Sequence, residues 1–364
     1  MNSMTRRLVI GTAAVSMALS LAACGDDKPS SSGNQSIGLL LPERSSSTRY
    51  EAFDKPLIQA SVEGLCTKCA LDYANADGDE KVQKEQFDAL LSRGVKVILL
   101  DPVNAAVTAP WVEEAKKKGT KVIAYDRLAA GDVVAYISFD NQRTGELQGQ
   151  ALLDAMGKAG KKPADSDILM INGAETDPNA ASFKTGAHLA LDGKVKKISY
   201  EESGEWKPEV ASAKIDEAVS KLGKNGFQAV YSANDGMAGA IIDALHKAGR
   251  TDVPVGGQDA SLDAIRRILT GDQAYTIYKP YQPEAEAAAN MAVYLVKGID
   301  ITSVAAAVTQ SGDKQIPSML LTPVVVTKDK ITETVIDGGL YKAEDICTPQ
   351  FAKACKDAGI PGSY

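Results

Sequence analysis

Short apolar runs and amphipathic stretches alternate along most of the chain. Runs rich in aliphatic and β-branched residues fall at 37–41, 95–100, 121–125, 135–139, 167–171, 227–231 and 253–256, and another strand starts at Leu71. Between them, helical hydrophobic spacing covers 80–93, 111–118, 144–156, 208–222, 237–248 and 262–269. Alternation of this kind predicts parallel sheets with helices on both faces. The stretch 37–364 is too long for one ordinary core and suits two domains. The expected fold class is therefore α/β, with two doubly wound parallel-sheet lobes in series.

The first residues break this pattern. Arg6 and Arg7 precede an apolar run from Leu8 to Leu21, and Leu21-Ala22-Ala23-Cys24 follows. A basic start, a short apolar core and small residues before a cut describe a secretory signal peptide over 1–23, too short to span a bilayer. The cysteine at the cut resembles that of a bacterial lipoprotein signal, with Cys24 acylated as the mature N-terminus. Residues 24–36, built of Gly, Asp, Lys, Pro, Ser, Asn and Gln, read as a flexible linker on that anchor. The expected location is extracytoplasmic, lipid-anchored to the outer face of the cell membrane. Losing the leader removes Arg6 and Arg7 and takes the net charge from −7 to about −9, a sign that argues against a nucleic-acid partner.

Four further cysteines, Cys66, Cys69, Cys347 and Cys355, suit two local disulfides in an oxidising compartment. A redox Cys-x-x-Cys would follow a strand and open a helix, whereas Cys66-Thr-Lys-Cys69 ends a helix before a strand. No metal site is expected, because His188 and His246 are the only histidines and the calcium-like Asn75-Ala-Asp77-Gly-Asp79 has Lys84, not glutamate, at its twelfth position. No dinucleotide, Walker, nucleophile-elbow or zinc-protease motif occurs. Catalysis would have to rest on chance carboxylate pairs, so no catalytic residues, no cofactor and no enzyme are expected.

Polar residues gather where the apolar runs end: Asp126 and Arg127, Asp140 and Asn141, Asn234 and Asp235, Gln258 and Asp259, Tyr278 and Lys279. In open parallel sheets the ligand crevice lies at the carboxyl ends of the strands. There the chain resembles the monosaccharide-binding proteins of bacterial ABC importers, a family that includes D-xylose binders and multiple-sugar binders. The resemblance rests on Ile123-Ala-Tyr-Asp-Arg127, Tyr136-Ile-Ser-Phe-Asp-Asn141 with Gly145-Glu-Leu-Gln148, Gly257-Gln-Asp-Ala260 and Ile277-Tyr-Lys-Pro280, and runs from about Ile37 to Lys342.

That resemblance implies a periplasmic-binding-protein type I fold, two lobes joined by three crossings with the sugar between them. The crossings are expected near Phe139 and Asp140, near Asp259, and between Pro317 and Pro323. The implied first lobe is 37–139 plus 260–318, and the second is 140–259 plus 319–364 with the disulfide-bearing tail. The implied ligand contacts are Arg49, Tyr50, Arg127, Asp177, Asn179, Trp206, Asn234, Asp259 and Lys279. Sugar hydroxyls both donate and accept, so carboxylates, amides and cations together suit them, while Tyr50 and Trp206 offer flat walls to the C–H faces of a pyranose. Xylose-specific members carry tryptophan at the position of Tyr50, which bears on which sugar fits.

Asp126 and Asp140 also read as caps of the turns or helices that follow them, Arg44 as a solvated loop charge, and Trp111 as packing on its helix. The implied partners are a monosaccharide, D-xylose first, and an ABC permease with a separate ATPase subunit. A monomer is expected. A broad monosaccharide receptor, or a sensor presenting sugar to a membrane signalling partner, would share the same residues.

Overall fold

The computed structural model describes residues 35–44 and 47–362. The signal peptide, Cys24 and nearly all of the linker lie outside the described residues. The elements are β1 (Ser36–Leu41), α1 (Lys55–Leu65), β2 (Ala70–Asn75), α2 (Glu80–Ser92), β3 (Val97–Leu100), α3 (Ala109–Lys117), β4 (Lys121–Tyr125) and β5 (Ala135–Phe139). Then come α4 (Asn141–Lys158), β6 (Asp167–Asn172), α5 (Pro178–Leu191), β7 (Lys197–Ser203), α6 (Pro208–Leu222), β8 (Ala229–Ser232), α7 (Asp235–Lys247) and α8 (Leu262–Thr270). The chain continues through β9 (Thr276–Tyr278), α9 (Tyr281–Val296), β10 (Ala307–Ser311), β11 (Lys314–Leu321), β12 (Val324–Val326), α10 (Ala343–Ile346) and α11 (Ala352–Asp357). A single π-helical turn, Tyr50–Asp54, precedes α1.

The first lobe is a seven-stranded sheet in the order β10-β11-β5-β4-β3-β1-β2, parallel except for β10. Successive strand residues point to opposite faces, and both faces are apolar. Leu39, Val97, Leu99, Ile123 and Ile137 pack beneath α1 and α9, while Leu40, Ile98, Leu100, Val122 and Ala124 pack beneath Phe87, Leu90 and Leu91 of α2 and Trp111 and Val112 of α3. That is the doubly wound arrangement, and it leaves the strand ends free to carry polar groups. The second lobe is built on the parallel sheet β7-β6-β8, extended by single bridges at Val255 and Gly256. The run 253–256 therefore contributes two bridges rather than a full strand.

The lobes exchange chain three times. After Phe139, α4 packs against α5 and β8 of the second lobe. The second crossing is not at Asp259. Residues 260–278, expected in the first lobe, belong to the second, because Gly256 bridges Tyr275, β9 pairs antiparallel with β12, and Tyr275 and Ile277 lie in the second lobe's core. The chain returns at Lys279 and Pro280, just before α9 enters the first lobe's core. The third crossing falls between Leu321 and Val324, within the expected 317–323 stretch, although Met319 to Leu321 still pair with β5 and so belong to the first lobe, past the expected lobe boundary after residue 318.

The tail does not belong to the second lobe alone. Leu340, Ile346, Cys347, Cys355 and Ile360 share an apolar cluster with Ile265 and Leu269 of α8 and with Phe53, Leu57 and Tyr281 on the first lobe's side. The Tyr341 ring meets that of Phe53 edge-on at 5.7 Å between centroids. The disulfides are Cys66–Cys69 and Cys347–Cys355.

Helix α5, which positions part of the cleft, lies unusually close to α4. A Cβ on Gly145 would stand 2.0 Å from the Phe183 carbonyl oxygen, and one on Gly186 would stand 2.0 Å from that of Gln142. Only glycine permits this approach, and it fixes how far the start of α5 reaches toward the first lobe.

Candidate functional site

Each predicted contact sits at a strand end or helix start. Arg49 and Tyr50 follow β1 at the π-helical turn, and Asp126 and Arg127 follow β4. Asp177 caps α5, its carboxylate accepting from the Asn179 backbone N–H at 2.8 Å. Asn234 caps α7 by accepting from the Met237 N–H at 2.9 Å. Lys279 follows β9. Several backbones here are left-handed at non-glycine residues: Asp126 at φ 54°, Glu205 at 55°, Trp206 at 61° and Asp259 at 99°. Such conformations are costly for a bulky residue like tryptophan and concentrate at functional sites.

All nine predicted residues line one cavity between the lobes. Glu43, Ser47, Asp126, Phe183 and Gln258 complete the lining. Asp126 and Gln258 had the strand-end signal, each directly preceding a predicted residue, but Asp126 read equally as a cap. Phe183 stands one helical turn after Asn179. Asp140 does act as a cap, accepting from the Arg143 N–H at 2.9 Å, and the half-exposed Arg44 pairs with Glu51 at 3.1 Å.

Inside the cavity the lobes grip one another. Arg127 of the first lobe places Nε 2.9 Å from Asp177 Oδ2 of the second, and its Nη2 donates to Glu43 Oε1 at 2.6 Å. Trp206 Nε1 donates to the same Asp177 oxygen at 3.2 Å. The Asn179 amide donates to the Asp126 backbone carbonyl at 3.1 Å, and its oxygen accepts from Asn141 at 2.8 Å. Lys279 Nζ lies 3.5 Å from Asp259 and 3.9 Å from Asp126, with the Phe139 and Phe183 rings each 5.6 Å away. The lobes are therefore closed, with donors and acceptors from both facing one space.

Behind this wall, Arg49 is tied by carboxylates. Its Nε and Nη2 donate to the two oxygens of Asp54 at 3.0 and 2.6 Å, Nη2 also donates to Glu284 at 2.7 Å, and Nη1 donates to Asp126 Oδ1 at 3.2 Å. Of a guanidinium's five N–H groups, one remains for the cavity. Burial opposes ionisation of Asp126, but Arg49, Lys279 and Arg127 outweigh it and hold its carboxyl below the ordinary value. Burial pushes Asp101 well above its ordinary value, the Asp126 charge adding to it, and Asp177 is also raised by burial despite Arg127. Among the described residues no group of His, Cys, Asp and Glu could hold a metal ion, and no helix is long and apolar enough to cross a membrane.

Two doubly wound lobes closing on a polar cavity define a solute-binding protein of the periplasmic-binding-protein type I class. The chain belongs to that family, matching its periplasmic binding protein domain over residues 37–300. It is 36% identical over 300 residues to the D-xylose-binding periplasmic protein of Escherichia coli K12, covering 80% of this chain and 87% of that protein. It is 29% identical to the multiple sugar-binding periplasmic receptor ChvE of Rhizobium radiobacter, over 85% of this chain and 92% of the other. Among solved structures it is similar to a carbohydrate transporter solute-binding protein of Chloroflexus aurantiacus in complex with D-glucose. The TM-score is 0.73, with 25% identity over 85% of this chain and 98% of that one. Proteins of this family are transport receptors, and this chain is not an enzyme.

Proposed function

We propose that the protein is an extracytoplasmic receptor that captures a monosaccharide between its closing lobes, D-xylose first. It delivers the sugar to an ABC permease driven by a separate ATPase subunit. The observation that carries this reading is the convergence of cations, carboxylates, amides and aromatic walls from both lobes on one cavity. The 36% identity to a relative named for D-xylose supports the choice of sugar. Asp126, Asp177 and Asp259 accept from sugar hydroxyls. Arg127, Lys279, Asn234 and the remaining N–H of Arg49 donate to them, and Trp206, Phe183 and Tyr50 flank the ring. Charge-assisted bonds of this kind are worth roughly 1.5–3 kcal/mol each. Because the contacts come from both lobes, sugar binding favours the closed state over the open one.

A broader monosaccharide receptor is the second reading, favoured by the similarity to the multiple-sugar receptor and to the D-glucose complex and by Tyr50 as the smaller aromatic. Acylated Cys24 tethers the monomer to the membrane; replacing Cys24 with serine should release it into the soluble fraction, with two acyl chains needed for stable anchoring. The test of ligand class is a thermal-shift panel of pentoses, hexoses and disaccharides. A ligand specific for the folded state stabilises it by about 2.7 kcal/mol at a hundredfold excess over Kd. A response to D-xylose alone marks a dedicated receptor, responses to several monosaccharides mark a broad one, and silence across the panel refutes sugar capture.

A further inference from the structure

Arg49 is 2% exposed and has three carboxyl groups within 3.2 Å, those of Asp54, Asp126 and Glu284. Lys279 lies 3.9 Å from Asp126 but forms no ion pair with Asp54 or Glu284, so those two share the Arg49 guanidinium in a water-poor site, which favours a proton on one carboxyl. Glu284 is the group placed to take it. It is fully buried on α9, only one of its oxygens meets Arg49, and Oε1 has no hydrogen-bond partner. Asp54 is held side-on by Arg49 and accepts from Tyr125 as well. Asp126 faces Lys279 and the Tyr50 hydroxyl besides Arg49. Burial drives the Glu284 carboxyl well above its ordinary value, in agreement with the geometry.

We propose that Glu284, together with Asp54, is a positioning residue for the sugar site: the two carboxyls fix the Arg49 guanidinium so that its Nη1 aims the Asp126 carboxylate at a sugar hydroxyl. This rests on the sugar-binding reading above. Arg49 then acts chiefly through Asp126. Glu284 needs an acceptor oxygen rather than a charge, and it lies far enough behind the cavity wall that no part of it lines the space. It is also in the first turn of α9, directly after the crossing at Lys279 and Pro280, so its position is set by the chain segment that joins the lobes.

The test is a double-variant cycle read by calorimetric titration with the sugar that stabilises the wild type most. Glu284→Ala should weaken binding about tenfold or more, whereas Glu284→Gln, which keeps the acceptor, should stay within about threefold of wild type. Asp126→Ala combined with Glu284→Ala should lose clearly less binding than the sum of the two single losses, because the first change removes the main group that the second positions. If Glu284→Ala does not fold, Glu284→Asp, which shortens the reach, takes its place against Glu284→Gln. Equal binding by the wild type and the alanine or aspartate variant, equal loss in the glutamine variant, or additive losses in the double variant would overturn the proposal. A wild type that binds no sugar in the panel removes the underlying reading and the inference with it, an outcome distinct from these.

Discussion

Gly173→Ala should weaken sugar binding without touching the sugar. Gly173 follows β6, and a Cβ there would stand 2.1 Å from Trp206 Cζ2, 2.3 Å from Cη2 and 2.6 Å from Cε2, where ordinary contact is 3.4–4 Å. The indole must therefore shift by about 1 Å or more to reach ordinary contact. Its own backbone has little slack: Glu205 and Trp206 are both left-handed, and Ser203 Oγ donates to the Gly173 carbonyl at 2.6 Å. Overpacking of this kind costs roughly 1–3 kcal/mol of stability. For binding, loss of a well-placed aromatic wall is worth about 0.5–1.5 kcal/mol, and loss of the Trp206 bond to Asp177 about 1 kcal/mol more. Together these correspond to a Kd raised roughly tenfold to hundredfold. Titration calorimetry on folded protein reads the Kd, and unfolding in urea reads the stability. A folded Gly173→Ala protein with an unchanged Kd would refute Trp206 as a wall of the site.

Gly157→Ala is the matched control, since Gly157 lies within α4 with nothing within 4 Å of an added Cβ; it should raise stability by about 0.5–1 kcal/mol and leave the Kd alone, as chemical unfolding and calorimetry would record. Burial raises the carboxyl of Asp235, at the start of α7, to about 7, so the folded state holds its proton more tightly than the unfolded one. The stability this proton contributes is complete below about pH 4 and lost as pH rises through about 7, at most about 4 kcal/mol across that window. Unfolding from pH 4 to 8 should therefore show a steeper loss in wild type than in Asp235→Asn, and parallel curves would refute it. Replacing Cys347 and Cys355 with alanine reopens a short loop, for which loop-closure entropy gives about 2.5 kcal/mol; denaturant unfolding should show that loss, and an unchanged midpoint would mean the tail is held by packing alone.

The sequence discloses the α/β alternation wherever an element has one wet face. Its signal is weak on α9, where the buried Ala285, Ala287, Ala288, Ala289, Met291, Ala292 and Val293 leave only the narrow polar stripe of Gln282, Glu286 and Asn290, and on the alanine-rich α5. The crossing at Lys279 was displaced to Asp259 for a related reason. β9 has three residues, and the bridges at Val255 and Gly256 are isolated, so nothing in the local pattern tells which lobe holds 260–278. Arg127, Asn234, Asp259 and Lys279 were legible at the ends of apolar runs, whereas Arg49, Tyr50, Asp177, Asn179 and Trp206 were reached only through the family resemblance. Asp126 was not separable from a turn cap, since its left-handed backbone, which turns it into the cavity, is a property of the folded turn. Glu284 had no local signal: only its packing against Arg49, 235 positions earlier, gives it a role.

The first lobe's sheet also has an order of synthesis. β5 pairs on one side with β4, immediately before it in the chain, and on the other with β11, whose last paired residue is Leu321 of 364. Until that residue has been made, the inner edge of β5 is an open row of backbone donors and acceptors, the kind of edge that recruits foreign strands. The intervening second lobe, by contrast, has its three main strands and four of its helices within 141–247. A ribosome therefore makes most of the second lobe's framework, though not its β9–β12 pair, before the first lobe's sheet can close. The beginning must wait, unfinished and open to aggregation, for a strand that arrives near the end.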